Sequence, residues 1–187
     1  MIRSDMDSLN IGLDSWIIQD GNYPDFVTGQ KTQFALEFYP HSLNMSESKT
    51  PSVTHLKASR YQVCAQIAYV GDRVWVLDMG FLAYQHTQPP EYARKGRWVE
   101  GEVYIGIDPF MYFENLKNLR GMPDLTYNFR VEQILLETTP WLKEQEIFVR
   151  DEQNESYKEI AETDAWNDDG GHAGYILKCV FIDGRVS

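Results

Sequence analysis

The sequence predicts a mainly β (β-rich α+β) domain, an antiparallel barrel or sandwich with one or two short helices. Three observations carry this. Aromatic residues make up 13% of the chain, and aromatic side chains suit the half-buried, pleated surface of a strand. Several segments alternate apolar and polar residues with the period of two that a strand requires. In the middle of the chain, two β-rich runs, 61–70 and 73–81, are separated only by Gly71 and Asp72, the spacing of a hairpin. At 187 residues the chain is read as one domain, 1–187. That length buries roughly 70% of the unfolded surface without needing a metal or disulfide staple.

Taken in order, residues 32–39 place Phe34, Leu36 and Phe38 on one face. Pro40 is expected to stop this strand, because proline offers no N–H to a ladder. Residues 41–54, rich in Ser, Thr, Asn and Lys, read as an exposed loop. In the central hairpin a two-residue loop sets Val70 opposite Arg73, Tyr69 opposite Val74, Ile67 opposite Val76, and Ala65 opposite Asp78. Both faces are then largely apolar, so the hairpin is expected to be covered on both sides. Residues 86–96, with Pro89 and Pro90, form a loop, and 97–107 the next strand. Asp108 and Pro109 read as the cap and first position of a short helix. Its buried stripe would be Phe110, Phe113, Leu116 and Leu119, and Gly121 and Pro123 would end it. Strands are expected at 125–136, 146–150 and 175–182, with a single helical turn at Thr139, Pro140 and Trp141. Residues 151–171 show no decisive period. Phe26 to Gln30 and Trp98 to Glu102 share an aromatic-Val-x-Gly-Gln/Glu pattern, which reads as two similar glycine-bent entries into strands.

Charge is the most informative feature for function. Of 28 acidic residues, eleven fall between positions 137 and 169, opposed there only by Lys143, Arg150 and Lys158. This acidic C-terminal third therefore carries −8 of the chain's −11. Such a field steers and selects cationic partners. Nucleic acid is disfavoured as a partner, since a polyanion is repelled and its binders show a basic face. The small excess of Lys and Arg over residues 55–97, including Arg94, Lys95 and Arg97, is too weak to reverse that.

Residues 1–7 lack the apolar stretch of a secretory signal, and no run approaches the ~20 apolar residues of a membrane span. The expectation is a cytoplasmic protein with no membrane partner. Cys64 and Cys179 are expected to be buried thiols.

The signatures of common enzymes are absent. There is no phosphate-binding loop, dinucleotide fingerprint or nucleophile elbow. His41, His55, His86 and His172 are scattered, and two cysteines 115 positions apart give no zinc spacing. No cofactor or metal is expected. The tract from Asp164 to His172 is the densest chemistry: Asp164, Trp166, Asn167, Asp168, Asp169 and His172 around two glycines. Its spacing does not fit the twelve-residue calcium loop. It reads as a partner contact, or as a turn whose Asp and Asn side chains satisfy backbone donors.

The leading expectation is thus a non-enzymatic acidic binding protein that contacts a basic protein partner, in the manner of an immunity or antitoxin-like inhibitor. Asp164, Trp166, Asp168 and Asp169 would make contact, with Glu144, Glu146 and Glu152 as steering charges. One alternative is a small-ligand-binding or hydrolytic barrel with a dispersed site around Asp78, Tyr104 and His172 in a central cavity. The other is a subunit of a larger assembly, using the second apolar face of the 61–81 hairpin.

Overall fold

The computed structural model describes residues 7–182; the first six positions of the segment read for a secretory signal lie outside them. It contains strands β1 (Ser8–Asp14), β2 (Lys31–Met45), β3 (Ser52–Lys57), β4 (Arg60–Val70), β5 (Trp75–Asp78), β6 (Leu82–Gln85), β7 (Trp98–Ile107), β8 (Thr126–Glu137), β9 (Trp141–Glu144), β10 (Ile147–Arg150), β11 (Tyr157–Ile160) and β12 (Gly174–Phe181). A short helix α1 (Ser15–Gln19) follows β1. The mainly β reading is correct, and the described residues contain no helix long and apolar enough to cross a membrane.

Ten strands form one mixed sheet, and β9 and β10 stand apart as a two-stranded hairpin. The sheet folds back on itself twice. Pairing of β8 with β2 closes the series β8-β12-β1-β7-β2, and pairing of β7 with β4 closes β7-β2-β6-β5-β4. The two rings share the β2–β7 seam. One strand can serve both because it is long: residues 31–35 of β2 pair with β8, Glu37 pairs with β6, and positions 36–45 pair with β7 on the other edge.

Alternation fills the interior. Leu9, Ile11 and Leu13 of β1, Phe34, Leu36 and Phe38 of β2, and Val103, Ile105 and Ile107 of β7 all point into one apolar core. Phe34 stacks on Phe129 at 4.6 Å, while Phe38 meets Trp75 edge-on at 5.1 Å. Both rings are thus packed solid by aromatic side chains, whose large areas dominate such cores. A second, smaller cluster lies outside the second ring, where Tyr112, Leu116 and Leu125 cover Ala35, Val74, Val76 and Tyr84. The central hairpin is covered on both faces, as its sequence implied. Much of its second apolar face packs within the chain, with Ala68 and Val70 left half-buried.

Several expectations need correction. Pro40 does not end β2. It sits beside a register shift between Pro40 and Ser42, and at a bulge a missing N–H costs little. The strand therefore continues to Met45, and half of the expected 41–54 loop is β2 and β3. The central turn spans residues 71–74, with the Gly71 N–H donating to the Val74 carbonyl at 2.8 Å. A bulge between Ile67 and Tyr69 sets Ile67 opposite Leu77 and Asp78 opposite Gln66, not Ala65. The segment after Asp108 is a single wide turn, Tyr112–Leu116, closed by an i to i+5 bond from Lys117 N–H to the Tyr112 carbonyl. Only Tyr112 and Leu116 are buried on it, and Leu119 is exposed. Asp108 does cap it: its buried Oδ1 accepts from the Tyr112 N–H at 3.0 Å. The Thr139–Trp141 stretch is not helical; Trp141 opens β9 instead.

The aromatic-Val-x-Gly echo is not a shared geometry. Gly29 lies in a turn with open space around it, whereas Gly101 sits mid-strand at φ +145° against Ser42. A β-carbon there would lie 1.6 Å from the Ser42 carbonyl oxygen. Backbone on both sides of the β2–β7 seam would have to move, at a cost of about 2 kcal/mol or more. We expect Gly101→Ala to lower the urea midpoint sharply while Gly29→Ala, strained only in φ, does so much less. Equal shifts for the two variants would show that the close approach at Gly101 is not what fixes the seam.

Candidate functional site

Two features stand out, one built on the outer face of the first ring and one on the acidic C-terminal third.

The first begins as a row of residues across the strands. Ile176 (β12) pairs with Gly12 (β1), Gly12 with Gly106 (β7), Gly106 with Glu37 (β2), and Glu37 with Tyr84 (β6). Gly106 leaves the sheet bare, whereas over Gly12 the Ser59 hydroxyl lies 3.1 Å from where a β-carbon would stand. Around them the β3–β4 turn, α1 and the chain that follows β8 rise as walls, giving an open cleft of about 770 Å³. Glu37, Tyr39, Tyr104, Asp14 and Trp16 line it. At Gly106 a β-carbon would make only ordinary contacts, 3.6 Å from Tyr39 and 3.8 Å from Glu37, so its absence leaves space.

Glu37 is the unusual group. Only 6% of it is exposed, and it forms no ion pair among the described residues. Its Oε1 accepts the Tyr39 hydroxyl. Burial pushes its carboxyl up to about 7; the Tyr39 bond opposes this and the Asp108 and Asp14 carboxylates reinforce it. Desolvation is thus the dominant cause. Asp14 opens to the cleft but is surrounded by protein on its other sides. Burial raises its carboxyl too, against a hydrogen bond from Trp16. Behind Glu37, Asp108 is fully buried and accepts from the Tyr84 hydroxyl, and its Oδ2 has no hydrogen-bond partner among the described residues. Asp108 does not line the cleft; it holds Tyr84 and the 112–116 turn in place.

The cations of the cleft are already engaged. Lys57 pairs with Glu155 at 2.5 Å and Arg60 lies 3.9 Å from Glu102. Arg150 reaches Asp169 at 2.7 Å and Glu137 at 3.8 Å. Glu155 illustrates the balance: burial would raise its carboxyl, but the Lys57 ammonium and the Tyr157 hydroxyl hold it below the usual range.

Arg150 also organises the second feature. Its Nη1 donates to the Thr139 carbonyl at 2.7 Å, and its guanidinium stacks 3.8 Å over the Trp141 ring. Trp141 Nε1 donates to the same Asp169 carboxylate at 2.9 Å. The β9–β10 hairpin and the 164–171 loop, distant in sequence, are thereby tied together. Beyond that junction the hairpin is exposed along its length, with Ile147 62% and Phe148 65% exposed, beside Glu144 and Glu146.

The residues singled out from sequence fall into distinct situations. Trp166 is 67% exposed. Asp164 accepts from the Asn167 side chain, and Asp168 accepts from the Asp164 N–H and the Tyr175 hydroxyl. These two carboxylates, with Asp169, therefore hold their own loop together, and only Trp166 projects freely. Glu144, Glu146 and Glu152 are exposed and without ion pairs among the described residues, and Glu152 also lines the cleft. The dispersed site around Asp78 does not assemble. Asp78 Oδ1 accepts from the Gly80 N–H at 2.9 Å, making it a turn cap, and neither Asp78 nor His172 lines the cleft. Tyr104 does line it. The cavity lies outside the rings, whose interiors are packed. No group of His, Cys, Asp and Glu suited to a metal occurs among the described residues. Cys64 and Cys179 are buried free thiols.

Sequence reasoning missed Glu37, Asp14 and both glycines. The signal was present: Leu9, Ile11 and Leu13 alternate with Asn10, Gly12 and Asp14, so an outward face bearing a glycine and a carboxylate was legible. Glu37 is the one charged position in the buried run 34–38. No family model, curated protein or solved structure matches the chain.

The raised carboxyl of Glu37 makes stability depend on pH. A folded-state value of about 7 against the ordinary 4.5 means the native state holds the proton more tightly than the unfolded chain. The resulting stabilisation is complete below the unfolded value and is lost as pH rises through about 7. We expect Glu37→Gln, which cannot ionise, to be progressively more stable relative to the native protein between about pH 4.5 and 7. Thermal melts of the pair across that range check this; a constant difference would mean that Glu37 is not perturbed.

Proposed function

We propose that this is a non-enzymatic binding protein that meets a basic protein partner through the β9–β10 hairpin and the adjoining 164–169 loop. An immunity or antitoxin-like inhibitor of a cationic protein is the concrete form this takes. The observation that carries the reading is one projecting hairpin on which Ile147, opposite Glu144, and Phe148, opposite Lys143, are exposed on its two faces, while Glu144 and Glu146 have no ion pair among the described residues. Single exposed apolar side chains are ordinary, but several gathered on one element, as Trp141, Leu142, Ile147 and Phe148 are here, mark an interaction surface. An apolar centre within a charged rim is how interfaces are built.

Support also comes from the charge distribution. Of the eleven carboxylates in 137–169, only Glu137, Glu155 and Asp169 enter ion pairs among the described residues. Eight therefore remain to set an outward field. Glu144, Glu146 and Glu152 serve as steering charges, Trp166 as an anchor, and Asp164, Asp168 and Asp169 as the frame that presents it. In this arrangement the rim sets the association rate and its salt dependence, while the apolar anchors set the dissociation rate.

The test compares affinity capture by the native chain with capture by Ile147→Asp/Phe148→Asp and by Glu144→Lys/Glu146→Lys. We expect one basic protein to be retained by the native chain, released by salt, and lost by both variants. The Asp168→Asn variant should act differently, loosening the loop rather than removing contact charge. An identical captured set for native and both hairpin variants would contradict the proposal.

A further inference from the structure

The cleft over Gly12 and Gly106 carries an inference independent of the hairpin. Its contents can be accounted for by charge. Five carboxylates line it, those of Asp14, Glu37, Glu137, Glu152 and Glu155, along with three permanent cations, Lys57, Arg60 and Arg150. Each cation is engaged by a carboxylate, and two of the four they use, Glu102 and Asp169, are not among those five. Glu137 and Glu155 are satisfied in the process. Asp14, Glu37 and Glu152 remain with no cation, so the unspent charge of the cleft is negative. Glu37 is more than nine-tenths buried and lines the cleft, and its carboxylate has the Tyr39 hydroxyl as hydrogen-bond donor and no ion pair among the described residues. A carboxyl so placed avoids the cost of a buried charge by holding its proton, and ionises when a guest brings the counter-charge.

The surroundings narrow the guest further. Tyr39, Tyr104 and Trp16 stand at the rim, each at least one-third exposed. Exposed aromatic faces beside carboxylates suit a cation that also presents a flat or apolar surface. The floor is open over Gly106 and bounded over Gly12 by the Ser59 side chain, which leaves room for one small planar group.

We propose that this cleft receives a single organic cation, a guanidinium or primary ammonium group, seated on the Gly12–Gly106 floor against Glu37 and flanked by Tyr39, Tyr104 and Trp16. The guest is either an arginine or lysine side chain carried by another protein or a free small amine; the chemistry recognised is the same. Binding then releases the proton that Glu37 holds near neutral pH. The groups facing Glu37 are Asp14 from β1, Tyr23 after α1, Tyr39 from β2, Tyr84 from β6 and Asp108 after β7, and His41 lines the cleft against Tyr104. No permanent cation is among them, so the guest supplies the missing positive charge.

The experiment is calorimetric titration of the full chain with three probes: agmatine, an acetyl-Gly-Arg-Gly-amide peptide, and the same peptide with neutral citrulline. We expect the two guanidinium probes to bind and the citrulline peptide to bind at least about tenfold more weakly, since a charge-assisted bond is lost. A peptide tighter than agmatine identifies a protein-borne side chain as the source, and the reverse identifies a free amine. Affinity should rise between pH 5.5 and 8, with proton release, and Glu37→Gln should abolish both the pH dependence and most of the binding. Gly106→Val, which fills the floor at a position whose backbone accepts any residue, should block binding while leaving the fold intact by near-ultraviolet circular dichroism. Equal binding of arginine and citrulline peptides, no binding of either guanidinium, or undiminished binding by both variants would overturn the proposal. The hairpin variants Ile147→Asp/Phe148→Asp should leave the titration unchanged, so failure here and failure of the partner surface are read separately.

Discussion

The seam between β2 and β7 is the constraint on which the rest of the structure depends. These two strands belong to both closed rings, so their register fixes the inner and outer faces of each. Inward it sets Phe34 and Phe38 into the shared core. Outward it places Glu37 beside Gly106 and Tyr39 beside Tyr104. A slip of one residue would exchange the two sets. Core and cleft are therefore not separate designs; the same pairing that packs one face builds the other. The bulge beside Pro40 and the close approach at Gly101 pin this register at its far end.

Electrostatics divides the molecule in a complementary way. Arg150 satisfies two carboxylates, a carbonyl and an indole face at once. A planar guanidinium with five donors can do this where a lysine cannot. By settling these groups it fixes the hairpin and the acidic loop against the body. It also leaves the remaining carboxylates, on the hairpin and in the cleft, without internal counter-charge. The proposed partner surface and the proposed cation cleft are thus two consequences of one imbalance, and both adjoin Arg150.

Much of the fold was legible in the sequence, because period-two alternation and turn chemistry report directly on strands. The strands at 97–107, 125–136, 146–150 and 175–182 follow from it almost to their ends. Failures came where one residue outweighs a pattern. Pro40 reads as a stop but is tolerated at a bulge, and a single bulge residue near Ala68 shifted the hairpin pairing that placed Asp78. Short apolar segments such as 139–141 carry no period at all. The site was harder. Gly12, Glu37 and Gly106 are brought into one row only by pairings of β1, β7 and β2 that no local signal encodes. The acidic tract was visible, yet the internal bonds of Asp164, Asp168 and Asp169 are invisible without coordinates.

The central claim is that the fold buries a carboxyl at Glu37 with no cation to balance it. The most direct measurement is a carbon-13 NMR titration of the Glu37 side-chain carboxyl in the full chain. The account predicts a midpoint near 7, with Glu37→Gln removing that titration and no other. A midpoint near 4, as for a solvated glutamate, would show that the group is neither desolvated nor unbalanced, and the account of the cleft would fall with it.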